Sequence, residues 1–549
     1  MPLQEPKTLQ AKLHSRILGC VVLVCGVLVL TTFSQKKPDP QTNPIIQKAT
    51  QLLEQGNLIE AEALLQSHLI KTPNDARSRV LLGVVFDRED RLAEAESLYR
   101  EVLKKSPNEI SALANLGVLL VKTKRIDEAV KVLERVLQLQ PNHQQAAYNL
   151  ATIYSAQNKQ NRALPLLKKL AGVRPDRTLP TTTDISLLVA LTKVYAATGM
   201  TKEAVKIAEL LEKKQAGDPR LLFTLGLIFS QANEYEKGKQ LFEKVNAQMP
   251  NRFEVLYNLG IAYYNLNEFD QAQTVLRSAV DIDPTNAEVF YRLGLVASAK
   301  KEVENALGLW LKAVELRPEF HEANFLIAEE LSKRQAYVGA QQFYEKAGSQ
   351  EPDNLLYQVR LCVTYIRIQQ YENARAILDV QDKKRPDNLN ITYLKGFLAR
   401  AEGNYDEAIV AFEKVLRLTA NNPDALANLG FLAGERGQYE KAEALLKQSI
   451  KEDPKIFSAH YDLGRLLLRL KRVDDALAIL ERGAELNKSD PGIRYQLFIA
   501  YSRTKQKAKA DVNFAEFKRL EALTAKTGAS ATSRDNNEKI PDSVLVDKP

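Results

Sequence analysis

Apolar residues along most of this chain recur at three- and four-residue intervals and then lapse into short polar breaks. In the segment 253–286, Leu256, Leu259, Gly260 and Tyr263 form one helical stripe and Asn267 to Asp270 interrupt it. Ala272, Leu276 and Ala279 then form a second stripe before Pro284. The pattern predicts a hairpin of two helices of about a dozen residues each, a length that is marginal for a helix on its own. A proline closes the second helix because it has no N–H to donate and clashes with the preceding turn. Such a unit is stable only when its apolar stripes are buried against copies of itself.

Thirteen other 34-residue segments align with this one. Position 8 of the unit is Gly83, Gly117, Gly226, Gly260, Gly294, Gly396, Gly430 or Gly464, with Ala49, Ala151 and Ala328 as small substitutes and Thr192, Cys362 and Phe498 as departures. Position 20 is stricter, running from Ala61, Ala95, Ala129, Ala163 and Ala204 to Ala272, Ala306, Ala340, Ala374, Ala408, Ala442, Ala476 and Ala510, with Gly238 alone differing. Position 32 is proline in most copies, as in Pro73, Pro107, Pro284 and Pro454. Small residues at positions 8 and 20 let the two helices approach closely where they cross.

With that spacing the chain resembles the tetratricopeptide repeat family over most of its length. The resemblance implies an all-α, right-handed superhelical solenoid of about fourteen helix-turn-helix repeats. Repeats 1–4 occupy 42–177 and repeats 5–14 occupy 185–524, with the seven residues 178–184 inserted between them. Asp184 is placed to cap the helix that follows, and the insertion predicts a joint where the array bends. Phe498 and the lysines 505, 507, 509 and 518 mark the last repeat as a capping hairpin whose outer face meets water. From 525 to 549 the composition predicts a disordered polar tail.

Ahead of the repeats, residues 1–16 carry Lys7, Lys12 and Arg16, and 17–33 is an uncharged apolar run followed by a polar linker, 34–41. A run of this length spans about 25 Å as a helix, a little short of a bilayer core. It reads as an export signal or a membrane anchor. The residues flanking Phe33 make a weak cleavage site, which favours the anchor. Basic residues before the run predict a cytoplasmic N-terminus and an array on the far side of the membrane, periplasmic in a bacterium, or secreted there if the leader is removed.

The charge adds little: 76 Lys+Arg against 68 Asp+Glu give +8, but the signs are interspersed along helix faces, which argues against nucleic acid as a partner. His14, His68, His143, His321 and His460 fall in different segments and share no metal-ligand spacing. No nucleotide-binding or hydrolase motif occurs, and Cys362, at a packing position, reads as a buried contact rather than a nucleophile. The sequence therefore assigns no catalytic residue, metal or cofactor, and predicts a non-enzyme.

What remains is a groove. The resemblance implies that first helices line the concave surface through positions 2, 5, 6, 9, 12 and 13. Carried across, position 5 supplies Tyr148, Phe223, Tyr257, Tyr291, Phe325, Tyr393, Tyr461 and Tyr495, position 6 supplies Asn115, Asn149, Asn258, Arg292 and Asn428, and position 9 supplies Arg465. Asparagine amides both donate to and accept from an extended main chain, and tyrosine offers apolar area with a polar tip. The expected function is a scaffold or adaptor that holds extended segments of partner proteins in a multiprotein complex, in envelope assembly or export. Two other readings are an accessory of polysaccharide synthesis or secretion that binds glycans, and the regulatory arm of an enzyme complex.

Overall fold

The computed structural model describes residues 43–174, 179–214 and 217–526. Among them are 28 helices and no strand, paired into fourteen hairpins. They fall into two compact units, which meet in sequence between Ile282 and Asp283. The first unit holds hairpins 1–7, at 44–71, 76–105, 110–139, 144–170, 185–214, 219–248 and 253–282. The second holds hairpins 8–14, at 287–316, 321–350, 355–384, 389–418, 423–452, 457–486 and 491–526.

Hairpin 7 shows how the unit is made. Its helices Phe253–Asn265 and Phe269–Ile282 have 13 and 14 residues. Between them Asn267 takes a left-handed conformation with φ 62°, and the next amide, Glu268 N–H, reaches back 2.9 Å to the Tyr263 carbonyl. That closure satisfies a carbonyl the helix end leaves over. The left-handed residue recurs at the same unit position in every hairpin, from Gly56 to Lys505, although only four of the fourteen are glycine. Several first helices start on a carboxylate or amide cap: the Asp75 carboxylate accepts from the Arg77 and Ser78 amides at 3.1 and 3.3 Å, an arrangement worth about 1 kcal/mol.

The expected close approach at position 8 is present, and it has a specific partner. A Cβ on Gly260 would lie 2.5 Å from Leu276 Cγ, and one on Gly294 only 2.3 Å from the Trp310 indole nitrogen. Leu276 and Trp310, both at position 24, are buried, each contributing about 2 kcal/mol by area. Where position 8 is the larger Thr192, position 24 is Ala208, so the volume is kept. Position 20 faces the same crossing: a Cβ on Gly238 would sit 3.3 Å from the Gly226 carbonyl oxygen.

Successive hairpins are also tied by a polar link that repeats in phase. A tyrosine at position 11 donates to a glutamate at position 25 of the preceding hairpin: Tyr263 to Glu243 at 2.7 Å, Tyr365 to Glu345 at 2.8 Å, and likewise Tyr154 to Glu134 and Tyr501 to Glu481. Burial and the carboxylate beside it push the Tyr263 phenol up to about 12.

At the insertion the stack continues. The helix Gln160–Leu170, shorter than its counterparts and carrying Pro165, ends before Gly172 (φ 68°). The Thr181 amide then donates to the Ala171 carbonyl at 2.9 Å, and Asp184 caps the next helix by accepting from Leu187 N–H at 3.2 Å. The helix Ile185–Ala197 packs on hairpin 4, and one apolar core runs from Ala49 to Ala262. The final helix, Lys507–Lys526, extends through Ala525 and Lys526 into the stretch read from sequence as tail.

Among the described residues no helix is long and apolar enough to cross a membrane. The basic N-terminal region, the apolar run 17–33, the linker 34–41 and the tail from 527 onward all lie outside the described residues.

Candidate ligand-binding groove

The first helices carry the groove positions, and individual hairpins present them differently. In hairpins 3–6 the residues at positions 5 and 6 are all partly accessible: Asn115 with its neighbour Ala114, Tyr148 and Asn149, Val189 and Ala190, Phe223 and Thr224. Ser111, Thr152, Ser186 and Arg220, at neighbouring groove positions, are exposed. The Asn115 amide nitrogen donates to its own helix, to the Ser111 carbonyl at 2.9 Å. Among the described residues its Oδ1 accepts no hydrogen bond, which leaves an acceptor for an incoming N–H. Asn149 Oδ1 accepts from Gln145 at 3.2 Å, and its buried Nδ2 has no partner among the described residues. Phe223 rests against Phe242, ring centres 5.6 Å apart.

Hairpin 7 is already closed. Tyr257 is buried and stacked on Phe253 at 5.9 Å, and Asn258 is buried with its amide given to the Glu254 carbonyl at 2.7 Å.

In hairpins 8, 11 and 12 of the second unit the same positions are buried, while Phe325 and Leu326 of hairpin 9 stay partly accessible. Tyr291 and Arg292 are buried, Tyr291 lying 4.9 Å from the Phe320 ring. Phe325 stacks on Tyr357 at 4.6 Å. Tyr393, Arg400 and Asn428 are buried and joined: Arg400 donates to the Asn428 Oδ1, while Asn428 Nδ2 donates to the Tyr393 hydroxyl at 3.1 Å and to the Asp424 carbonyl at 2.9 Å. All the hydrogen-bonding capacity of this asparagine amide that the fold can reach is already spent inside. Next to it, Tyr461 and Arg465 are half-buried, and Arg465 pairs with Glu435 at 3.2 Å. Tyr495 is exposed but sits among the aromatic rings of hairpin 14.

The structure thus brings the predicted groove residues together only within short runs, and it buries Tyr257, Asn258, Tyr291, Arg292, Tyr393 and Asn428 beyond reach of a ligand in this conformation. Sequence reasoning missed Arg400 as the partner that locks Asn428, although position 12 was within the groove set. It also missed Glu322, at position 2 of hairpin 9, whose carboxyl is pushed up by burial. Cys362 is fully buried, its thiol 3.8 Å from the Ala374 carbonyl and raised far above the ordinary range by burial, as expected of an inert packing residue. Among the described residues no group of three or more His, Cys, Asp or Glu is arranged to hold a metal ion.

Comparison with known proteins places this geometry. A small glutamine-rich tetratricopeptide repeat-containing protein 2 of Mycosarcoma maydis is 28% identical over 123 residues, which is 21% of this chain and 35% of that protein, so the match spans about a third of the relative. Among solved structures, yeast Tom70 is 16% identical over 83% of this chain and 99% of its own, with a TM-score of 0.33. A tetratricopeptide repeat protein from Parabacteroides merdae is 18% identical over 46% of this chain and 97% of its own, with a TM-score of 0.32. Tetratricopeptide repeat models match six segments, at 88–138, 120–179, 230–297, 331–396, 399–455 and 433–500, and a further one at 46–110. Proteins built of these repeats generally act as scaffolds for protein interactions. The matched segments cover more than half of the sequence, and the chain belongs to the tetratricopeptide repeat family.

Proposed function

We propose that this protein is a non-catalytic scaffold that binds extended partner segments along the groove positions of hairpins 3–6. The observation that carries the reading is the contrast at position 6. Asn115 keeps a carbonyl oxygen in reach of a main-chain N–H, while Asn428 has its amide committed to Arg400, Tyr393 and Asp424. Further along the same run, in hairpins 4 and 6, the half-accessible rings of Tyr148 and Phe223 supply apolar area at low cost in side-chain entropy, which suits a flexible chain better than a rigid surface.

The test is binding of an extended-peptide library to the intact chain, to Asn115→Ala/Tyr148→Ala and to the matched pair Tyr461→Ala/Arg465→Ala, with unfolding curves run alongside. Loss of binding in the first pair alone supports the reading. Loss in the second pair alone, or binding of glycans and no peptide, refutes it.

The apolar run 17–33 anchors the chain in a membrane with the repeats outside the cytoplasm, where the partners belong to envelope assembly or export. Alkaline extraction and external protease digestion check this part. A chain released by alkali, or repeats protected from external protease, contradicts it.

A further inference from the structure

The last hairpin closes its unit with a face unlike a solvated cap. Tyr495 is 40% exposed and Phe498, Phe514 and Phe517 are half-buried. Their rings touch in a chain: Tyr495 lies 5.2 Å from Phe517, Phe517 6.2 Å from Phe514, and Phe514 4.8 Å from Phe498. Phe498 and Phe514 stand at positions 8 and 24, where other hairpins set a small residue beneath a large one and bury both. A terminal repeat is expected to turn a polar face outward, and a partly exposed aromatic cluster with a polar rim marks an interaction surface.

A cation stands on the cluster itself: Lys518 is exposed, with its Nζ 4.6 Å above the Phe514 ring. The sequence that follows Lys526 contains one aliphatic run, Val544, Leu545 and Val546, set between Asp542 and Asp547. Its apolar centre and acidic flanks complement the aromatic face and Lys518. It can reach: the helix from Phe517 to Lys526 is about 14 Å long, and the residues from 527 to 544 span up to roughly 55 Å when extended.

We propose that the segment 542–547 docks in cis on the aromatic face of hairpin 14, with Leu545 against Phe514 and Phe517 and an acidic flank toward Lys518. The tail then covers the end of the repeat stack.

The experiment places the photoreactive residue benzoylphenylalanine at Leu545 of the full chain and maps its cross-links by mass spectrometry. The expected result is cross-links to peptides of 491–526 within one chain, unchanged on dilution. Lys518→Glu, at an exposed position that leaves the core intact, should cut their yield roughly threefold or more, because rim charges steer and hold such contacts. Tyr495→Ser, also at the surface, should reduce it without charge reversal. Cross-links between two chains would give the face to a second copy and overturn the proposal, as would cross-links outside 491–526 or a yield indifferent to both variants.

Discussion

Asn115 and Asn428 occupy the same position of the same repeat, one in each unit, and the fold uses them for different ends. Both give an amide hydrogen to the carbonyl one turn earlier in their own helix. From there they diverge: Asn115 is half-accessible among small and aliphatic neighbours, whereas Asn428 is enclosed by the guanidinium of Arg400 and the phenol of Tyr393. What differs is the bulk and length of the side chains supplied by neighbouring hairpins. The arginine at position 12 and the tyrosine at position 5 of hairpin 11 fill space that their counterparts in hairpin 2, Asp87 and Val80, leave open beside Asn115. The same repeat can therefore build a binding face or an internal polar core, depending on its neighbours.

What the two units share is the helix crossing, and breaking it should give the largest effect. Gly260→Leu in the first unit and Gly294→Leu in the second each drive a side chain into a buried residue, Leu276 or Trp310, at less than 3 Å. Each should destabilise by about 3 kcal/mol, at the upper end of what overpacking costs. Urea unfolding followed by circular dichroism measures it. A loss in one unit and none in the other would show that the crossings are not equivalent.

The asparagine pair sharpens the difference. Asn428→Ala takes an acceptor from the buried Arg400 and a donor from Tyr393, and should cost about 2–3 kcal/mol. Asn115→Ala should stay within about 0.5 kcal/mol of the parent in stability, as an accessible polar substitution does, while weakening peptide binding. Equal stability losses for both would mean that the groove of the first unit is also structural.

Much of this architecture is legible in the sequence because its causes are local and repeated. Alanine at position 20 and glycine at position 8 fix the crossing, and Asp184 announces its cap. The left-handed residue between the helices is hidden where it is Lys124, Gln335 or Lys471, since nothing in those side chains marks positive φ. It is set by the closure of the turn. The link from Tyr263 to Glu243 joins residues that only stacking brings near, and a period of 34 does not reveal it until the hairpins are laid side by side. Groove exposure is the least legible property. Tyr148 and Tyr393 read alike in sequence, and only the side chains donated by neighbouring hairpins make one half-accessible and the other buried.

The smallest contrast concerns acid. In the first unit, hydrogen bonds from Arg100, and then Arg125, hold the Glu128 carboxyl below its ordinary range. In the second, burial raises that of Glu322, with Glu288 adding repulsion and Arg317 opposing it. The signs are opposite. A carboxyl lowered by folding binds fewer protons in the native state than in the unfolded one, so the stability it contributes is present above about pH 4.5 and fades as the pH falls through its folded value. A carboxyl raised by folding binds more protons in the native state, so stability is lost as the pH rises from about 4.5 through its folded value. Glu322→Gln removes that loss and should stabilise the chain at pH 7 by about 0.5–1 kcal/mol, with the advantage gone at pH 4. Glu128→Gln should do the reverse, slightly destabilising at pH 7, with the loss shrinking as the pH falls below about 4.5 and vanishing only beneath the folded value. Stability curves of the two variants against the parent, at both pH values, check the pair. If Glu322→Gln is neutral at pH 7, the carboxylate is adequately solvated or paired through Arg317 and His321, and the second unit's inner face is wetter than its buried polar groups indicate.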